Sequence, residues 1–143
     1  MGLAGNSSYP AMKRRLRLGI VGGGRGALVG QWHAAGIRLS NRWDLVAGAL
    51  SSDPSIALES GREWLLPEDR IYADYRRMAH VEAARSDGIE AVAICTPNFT
   101  HRAIAETFME AEIDVICDKP MTNTLEDSQA LLDMQKSTGL VFA

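Results

Sequence analysis

Cysteine is scarce in this sequence, and the two that occur, Cys95 and Cys117, each end a strand-like apolar run rather than sharing a metal or redox spacing. That pattern speaks against a disulfide framework and makes a reducing cytoplasm the expected compartment. The three histidines, His33, His80 and His101, are widely separated, so no metal site is expected. Cations are not in excess either: 15 Lys and Arg stand against 18 Asp and Glu, for a net charge of −3. Nucleic acid is therefore not expected as a main partner, because a phosphate backbone is bound by an excess of clustered Lys and Arg. Long apolar runs are missing too. No stretch approaches the roughly 20 apolar residues of a membrane span. Leu16 to Val21, behind the basic cluster of Lys13, Arg14, Arg15 and Arg17, is too short for the apolar core of a signal peptide.

What is present is an ordinary globular composition. The 143 residues are 46% hydrophobic and 23% charged, enough for one domain with a core. Residues 1–14 are small, polar and basic, without periodicity, and read as a disordered leader. Residues 15–143 alternate short apolar runs with helical patterns, the signature of a parallel sheet wound with helices. Leu16 to Val21 is the first strand, and Leu28, Trp32, Ala35 and Leu39 predict a helix that lays that face on the sheet. Leu45 to Leu50 is a second strand. Asp53 as N-cap and Pro54 at the first helical position open a helix carrying Ile56, Ala57 and Trp64, which must stop near Pro67. Arg70 to Ala73 reads as a third strand, Tyr75 to Arg85 as a helix, and Ile89 to Cys95 as a buried strand. Ile104, Phe108 and Ala111 mark a further helix before a fifth strand, Ile113 to Cys117. Thr124 with Asp127 resembles a capping box, and Gly139 is the C-cap of the last helix. Leu140 to Ala143 reads as the start of a sixth strand.

The chemistry-bearing feature is Gly22-Gly23-Gly24-Arg25-Gly26-Ala27, between the first strand and the first helix. Read as G-x-G-x-x-A, it places Gly22 at the tight turn and Gly24 where backbone meets a pyrophosphate, with Ala27 allowing helix to pack on strand. The helix N-terminus behind it offers unpaired N–H groups and a partial positive charge. No Gly-Lys-Ser/Thr follows, which excludes a Walker-type loop. Strand, loop, helix and second strand in this order predict a Rossmann-type doubly wound α/β domain that binds NAD or NADP. The second strand should end in the residue that reads the adenosine ribose, and here Ser51 and Ser52 precede Asp53. With Ser51 as reader no carboxylate repels a 2′-phosphate and NADP is admissible; with Asp53 as reader NAD is favoured. Because Asp53 also looks like a helix cap, the balance tips to NADP, with Arg25 as its phosphate partner.

Two further motifs narrow the class. The fourth strand ends in Cys95-Thr96-Pro97-Asn98 with His101 three residues on, and the fifth ends in Asp118-Lys119-Pro120. Together with the glycine loop they resemble the Gfo/Idh/MocA family of oxidoreductases, over about residues 16–143. The resemblance implies that Thr96, Pro97, Asn98 and His101 contact the cofactor. It also implies that Lys119 is the catalytic lysine near nicotinamide and substrate, flanked by Asp118 and Pro120. Asp118 stands where the family usually has Glu. All these segments fall at the carboxyl ends of predicted parallel strands, where such folds bind ligands. His33 reads as a partly buried helix residue and His80 as a surface one.

In the family a second, substrate-binding domain follows and supplies further acid–base groups. No such domain lies within this sequence, and the chain is expected to be the cofactor half of a longer enzyme. That enzyme would move hydride between nicotinamide and a CH–OH carbon of a sugar, cyclitol or similar polyol. The chain alone is expected to bind cofactor without turnover. It is also expected to self-associate as a homo-oligomer through the edge at the sixth strand. The alternative is a non-catalytic dinucleotide-sensing or interaction module on the same fold. A reading frame continuing past Ala143 supports the enzyme, and a stop codon there the module.

Overall fold

The computed structural model of the chain describes residues 12–143, so most of the expected leader lies outside the described residues. Four parallel strands form one sheet: β1 (Leu16–Gly22), β2 (Trp43–Ala49), β3 (Ala91–Cys95) and β4 (Asp114–Cys117), in the order β2-β1-β3-β4. Five helices connect and cover them: α1 (Leu28–Ser40), α2 (Pro54–Glu63), α3 (Tyr75–Ala83), α4 (His101–Glu110) and α5 (Leu125–Thr138). The central strands β1 and β3 are buried on both faces, which is why they read as near-continuous apolar runs. One face packs Val92, Ile94 and Val115 beneath α3, α4 and α5, with Phe108 and Leu131 at its centre. The other packs Leu18, Ile20 and Ala93 against Ile37, Leu50 and Leu66. Among the described residues no helix is long and apolar enough to cross a membrane.

Helix ends fall where local chemistry placed them. The Asp53 carboxylate accepts from the Ser55 and Ile56 amides at the start of α2, and Thr124 Oγ1 accepts from the Asp127 amide at the start of α5. Gly139 ends α5 at a φ of 72°. Asp127 does not complete a reciprocal cap, since its carboxylate pairs with Arg102 at 2.7 Å.

Three expectations are corrected. Arg70 to Ala73 is not a ladder strand: Glu68–Arg70 is a 3-10 turn, and a single bridge joins Ile71 to Gly48. Side chains pin this segment instead. Arg70 is buried in an ion pair with Glu82, which also accepts from the Tyr72 hydroxyl at 2.8 Å and the Ile89 amide at 3.2 Å. Leu140 to Ala143 likewise reduces to one parallel bridge between Phe142 and Val115, with backbone bonds from Val115, Cys117 and Ala143.

The third correction concerns α1, which lies on the sheet by a face other than the expected one. Gly30, Ala34 and Ile37 are buried, whereas Leu28, Trp32 and Leu39 are 62%, 63% and 86% exposed. Close backbone approach decides this. A Cβ on Gly30 would sit 2.3 Å from the Gly23 Cα, so only the face of small residues fits against the loop.

Candidate functional site

The glycine loop is a backbone knot at the carboxyl edge of the sheet. Gly22 takes a φ of 80°, a left-handed conformation open to glycine, and a Cβ there would lie 2.9 Å from the Cys95 carbonyl oxygen. The Gly24 amide donates to the Leu50 carbonyl at 3.2 Å, and a Cβ on Gly24 would reach that oxygen at 2.6 Å. The Arg25 amide donates to Ser60 Oγ at 2.9 Å, tying the loop to α2. Ser60 is fully buried and was not singled out in the sequence, because nothing local marks it.

Ala27 was expected to provide the close packing of helix on strand. It is instead the half-buried N-cap of α1, and the close contact belongs to Gly23 and Gly30. Ala27 makes no side-chain cap bond and the first turn of α1 carries no acidic residue. Among the described residues the N–H groups there have no side-chain acceptor, and the positive helix end opens beside backbone that no Cβ obstructs. This cradle fits the diphosphate of a nicotinamide dinucleotide.

A cleft of about 420 Å³ adjoins the loop. It brings together Gly22, Ser51, Ser52, Thr96 and Pro97 of the expected set, and adds Tyr75 and Phe99. Both aromatics were overlooked, though Phe99 lies inside the Thr96–His101 motif and is 70% exposed. Asp53 is occupied by its capping role. The Ser55 hydroxyl, with the Ile56 and Ser55 amides, holds its carboxyl below the usual carboxylate range. Ser51 Oγ in turn accepts from the Asp53 amide at 3.1 Å. Arg25 points to α2, with its guanidinium on Glu59 at 2.7 Å and Glu63 at 2.6 Å.

The next two strand ends lie alongside. Asn98 is half-buried and opens the 3-10 turn Asn98–Thr100, where the Thr100 hydroxyl lies 2.8 Å from Thr96 Oγ1. The Asp118 amide donates to Ile94 at 3.0 Å, locking the end of β4 onto β3. Lys119 and Pro120 are exposed and joined by a cis peptide. Among the described residues no hydrogen bond or ion pair holds the Lys119 ammonium. Burial, with Asp118 nearby, pushes the Cys95 thiol up to about 12 and the Cys117 thiol up to about 11, so neither is a thiolate at neutral pH.

His101 takes a different place from the expected cofactor contact. Its ring is 1% exposed, and both nitrogens are engaged by backbone carbonyl oxygens. His33 is half-buried on α1 and His80 is exposed. Among the described residues no three His, Cys, Asp or Glu side chains are grouped to hold a metal ion.

A parallel sheet whose first strand runs through a glycine cradle into a helix with an open N-terminus is a dinucleotide-binding Rossmann domain. The sequence matches the Gfo/Idh/MocA oxidoreductase family, NAD-binding Rossmann fold, over residues 16–143, and the chain belongs to that family. It is 36% identical to the uncharacterized oxidoreductase YfiI of Bacillus subtilis, across 91% of this chain and 33% of that protein. Its fold superposes on an oxidoreductase from Sinorhizobium meliloti with a TM-score of 0.85 at 47% identity, covering 91% of this chain and 36% of that one. An inositol dehydrogenase homologue from Azotobacter vinelandii, solved with NAD+, gives 0.85 at 37% identity, covering 91% and 33%. The chain spans about a third of the length of the curated relatives it matches.

Proposed function

We propose that this domain binds NAD+ or NADH for a dehydrogenase acting on a CH–OH group of a sugar or cyclitol. One observation carries the reading: Gly22 of the glycine cradle, Ser51, Ser52, Thr96 and Pro97 line one cleft at the carboxyl edge of the sheet, with Lys119 just beyond the end of the strand next to β3. The solved relative from Azotobacter vinelandii with NADH and myo-inositol, and the curated levoglucosan dehydrogenase, support the substrate class. When bound, the nicotinamide supplies the hydride acceptor or donor. The chain's own part is to hold the diphosphate on the Gly22–Ala27 backbone and α1, to seat the adenosine side at Ser51 and Ser52, and to lay the ribose and nicotinamide side against Thr96. Pro97, Asn98, Asp118 and Pro120 shape the strand-end loops. Lys119 presents an ammonium that can hydrogen-bond the substrate oxygen and exchange its proton as charge on that oxygen changes.

Arg25 and Asp53 bear on cofactor choice. The lean to NADP needs Arg25 free to meet a 2′-phosphate, but Glu59 and Glu63 already engage it and add two negative charges beside it. We therefore favour NAD over NADP. Calorimetric titration of the 143-residue protein with each cofactor tests the reading. Cofactor at about a hundred times its dissociation constant should stabilise the fold by roughly 2.7 kcal/mol. NAD+ should bind more tightly than NADP+, Gly24→Val should abolish binding, and the Glu59→Gln/Glu63→Gln double variant should narrow the preference. Failure of well-folded protein to bind either cofactor at millimolar concentration would overturn the proposal.

A further inference from the structure

His101 connects the two loops that the proposed site needs. It is the first residue of α4, and its Nε2 lies 2.8 Å from the carbonyl oxygen of Thr96, at the end of β3. Its Nδ1 lies 3.1 Å from the Pro120 carbonyl oxygen and 3.2 Å from that of Met121, in the loop after β4. The ring is buried between the two loops. A rigid ring with nitrogens on opposite sides fixes the distance between what it touches. Here that distance separates the Thr96–Asn98 loop from the backbone immediately after Lys119. Besides His101, the Pro120–Met121 turn receives the weak Cys117 thiol, at 3.8 Å from the Met121 oxygen.

We propose that His101 is a positioning residue: its imidazole sets the spacing between the Thr96 and Lys119 loops and so presents Lys119 to the nicotinamide end of the cofactor. This rests on the roles just proposed for Lys119 and the cleft. Each ring nitrogen faces a backbone carbonyl oxygen, so the nitrogen that carries the proton ties one loop while the packed ring spans the gap to the other. Phenylalanine fills the space with no donor. Glutamine brings N–H donors and can restore the attachment to one loop, but its flexible chain does not fix the span between the two.

The sequence contains three lysines, Lys13, Lys119 and Lys136, so reductive methylation with ¹³C-formaldehyde yields few lysine signals, and Lys119→Arg identifies the one of interest. In ligand-free protein, His101→Phe should move the Lys119 methyl signal and leave those of Lys13 and Lys136 in place. It should weaken NAD+ binding roughly tenfold or more, as small misplacements at a built site do. His101→Gln should fall between wild type and His101→Phe on both measures. Phe108→Leu, a fully buried change on the same helix, controls for general loosening and should leave the Lys119 signal unmoved. The positioning role is overturned if His101→Phe folds with the Lys119 signal and NAD+ affinity of wild type, or if Phe108→Leu shifts that signal as far. Should His101→Phe fail to fold, His101→Gln decides by the same criteria. Wild-type protein that binds no NAD+ would sink the functional reading, while the ligand-free Lys119 signal still decides the positioning one.

Discussion

Alanine substituted at two glycines of α1 should have opposite effects, and the structure says by how much. Gly36 has nothing within 4 Å of the position a Cβ would take. Alanine there keeps only the gain in helix propensity, about 0.5–1 kcal/mol of stabilisation. At Gly30 the same methyl would lie 2.3 Å from the Gly23 Cα and 2.5 Å from the Gly23 oxygen, both backbone atoms that cannot rotate away. Ordinary contact begins near 3.4 Å, so α1 must retreat from the loop by roughly 1 Å. Overpacking of that kind typically costs about 1–3 kcal/mol, which outweighs the propensity gain. With roughly 2–4 °C per kcal/mol for a domain near this size, Gly36→Ala should raise the melting temperature by a few degrees and Gly30→Ala should lower it. The retreat also moves the N-terminus of α1 relative to the cradle, so NAD+ affinity should fall about tenfold or more in Gly30→Ala and stay unchanged in Gly36→Ala. Thermal melts and calorimetry on both proteins are sufficient. If the two variants are equally stabilised, or if Gly30→Ala binds NAD+ like wild type, the helix is not held by the Gly23–Gly30 contact.

Two further outcomes test the folding argument at a distance from the site. Arg14, with the Arg17 amide and guanidinium, pulls the Glu90 carboxyl from 4.5 down to about 2. A depressed folded-state value means that the stability it contributes is present at neutral pH and lost as pH falls from 4.5 towards 2. Glu90→Gln should therefore lower stability at neutral pH, with the gap to wild type closing across that window in urea unfolding. On α1, Ile37→Ala should cost about 2–5 kcal/mol, whereas Leu39→Ala should change stability by less than about 0.5 kcal/mol. Equal losses would mean that both faces of the helix are buried in solution.

Much of the architecture was legible because it is written locally. Asp53 followed by Pro54, Thr124 three residues before Asp127, and Gly139 at a left-handed C-cap each act within one helical turn, so neighbouring residues suffice to place those ends. The apolar runs of β1, β3 and β4 and the glycine loop are contiguous too. With the Thr96 and Lys119 motifs, they were enough to indicate the domain and its family. What sequence order could not convey is which distant groups meet. The apolar stripe Leu28, Trp32 and Leu39 has the right helical spacing yet faces outward, because the glycine loop admits only Gly30 at its contact. Arg25 is drawn to Glu59 and Glu63 on another helix, and Arg70 to Glu82. His101 lies in the expected motif but is buried between two loops by packing that its neighbours in sequence do not reveal. Local hydrogen bonding and periodicity determined the elements from the sequence itself; their contact faces and the partners of their polar side chains were decided only when the tertiary structure brought remote backbone within a few ångströms.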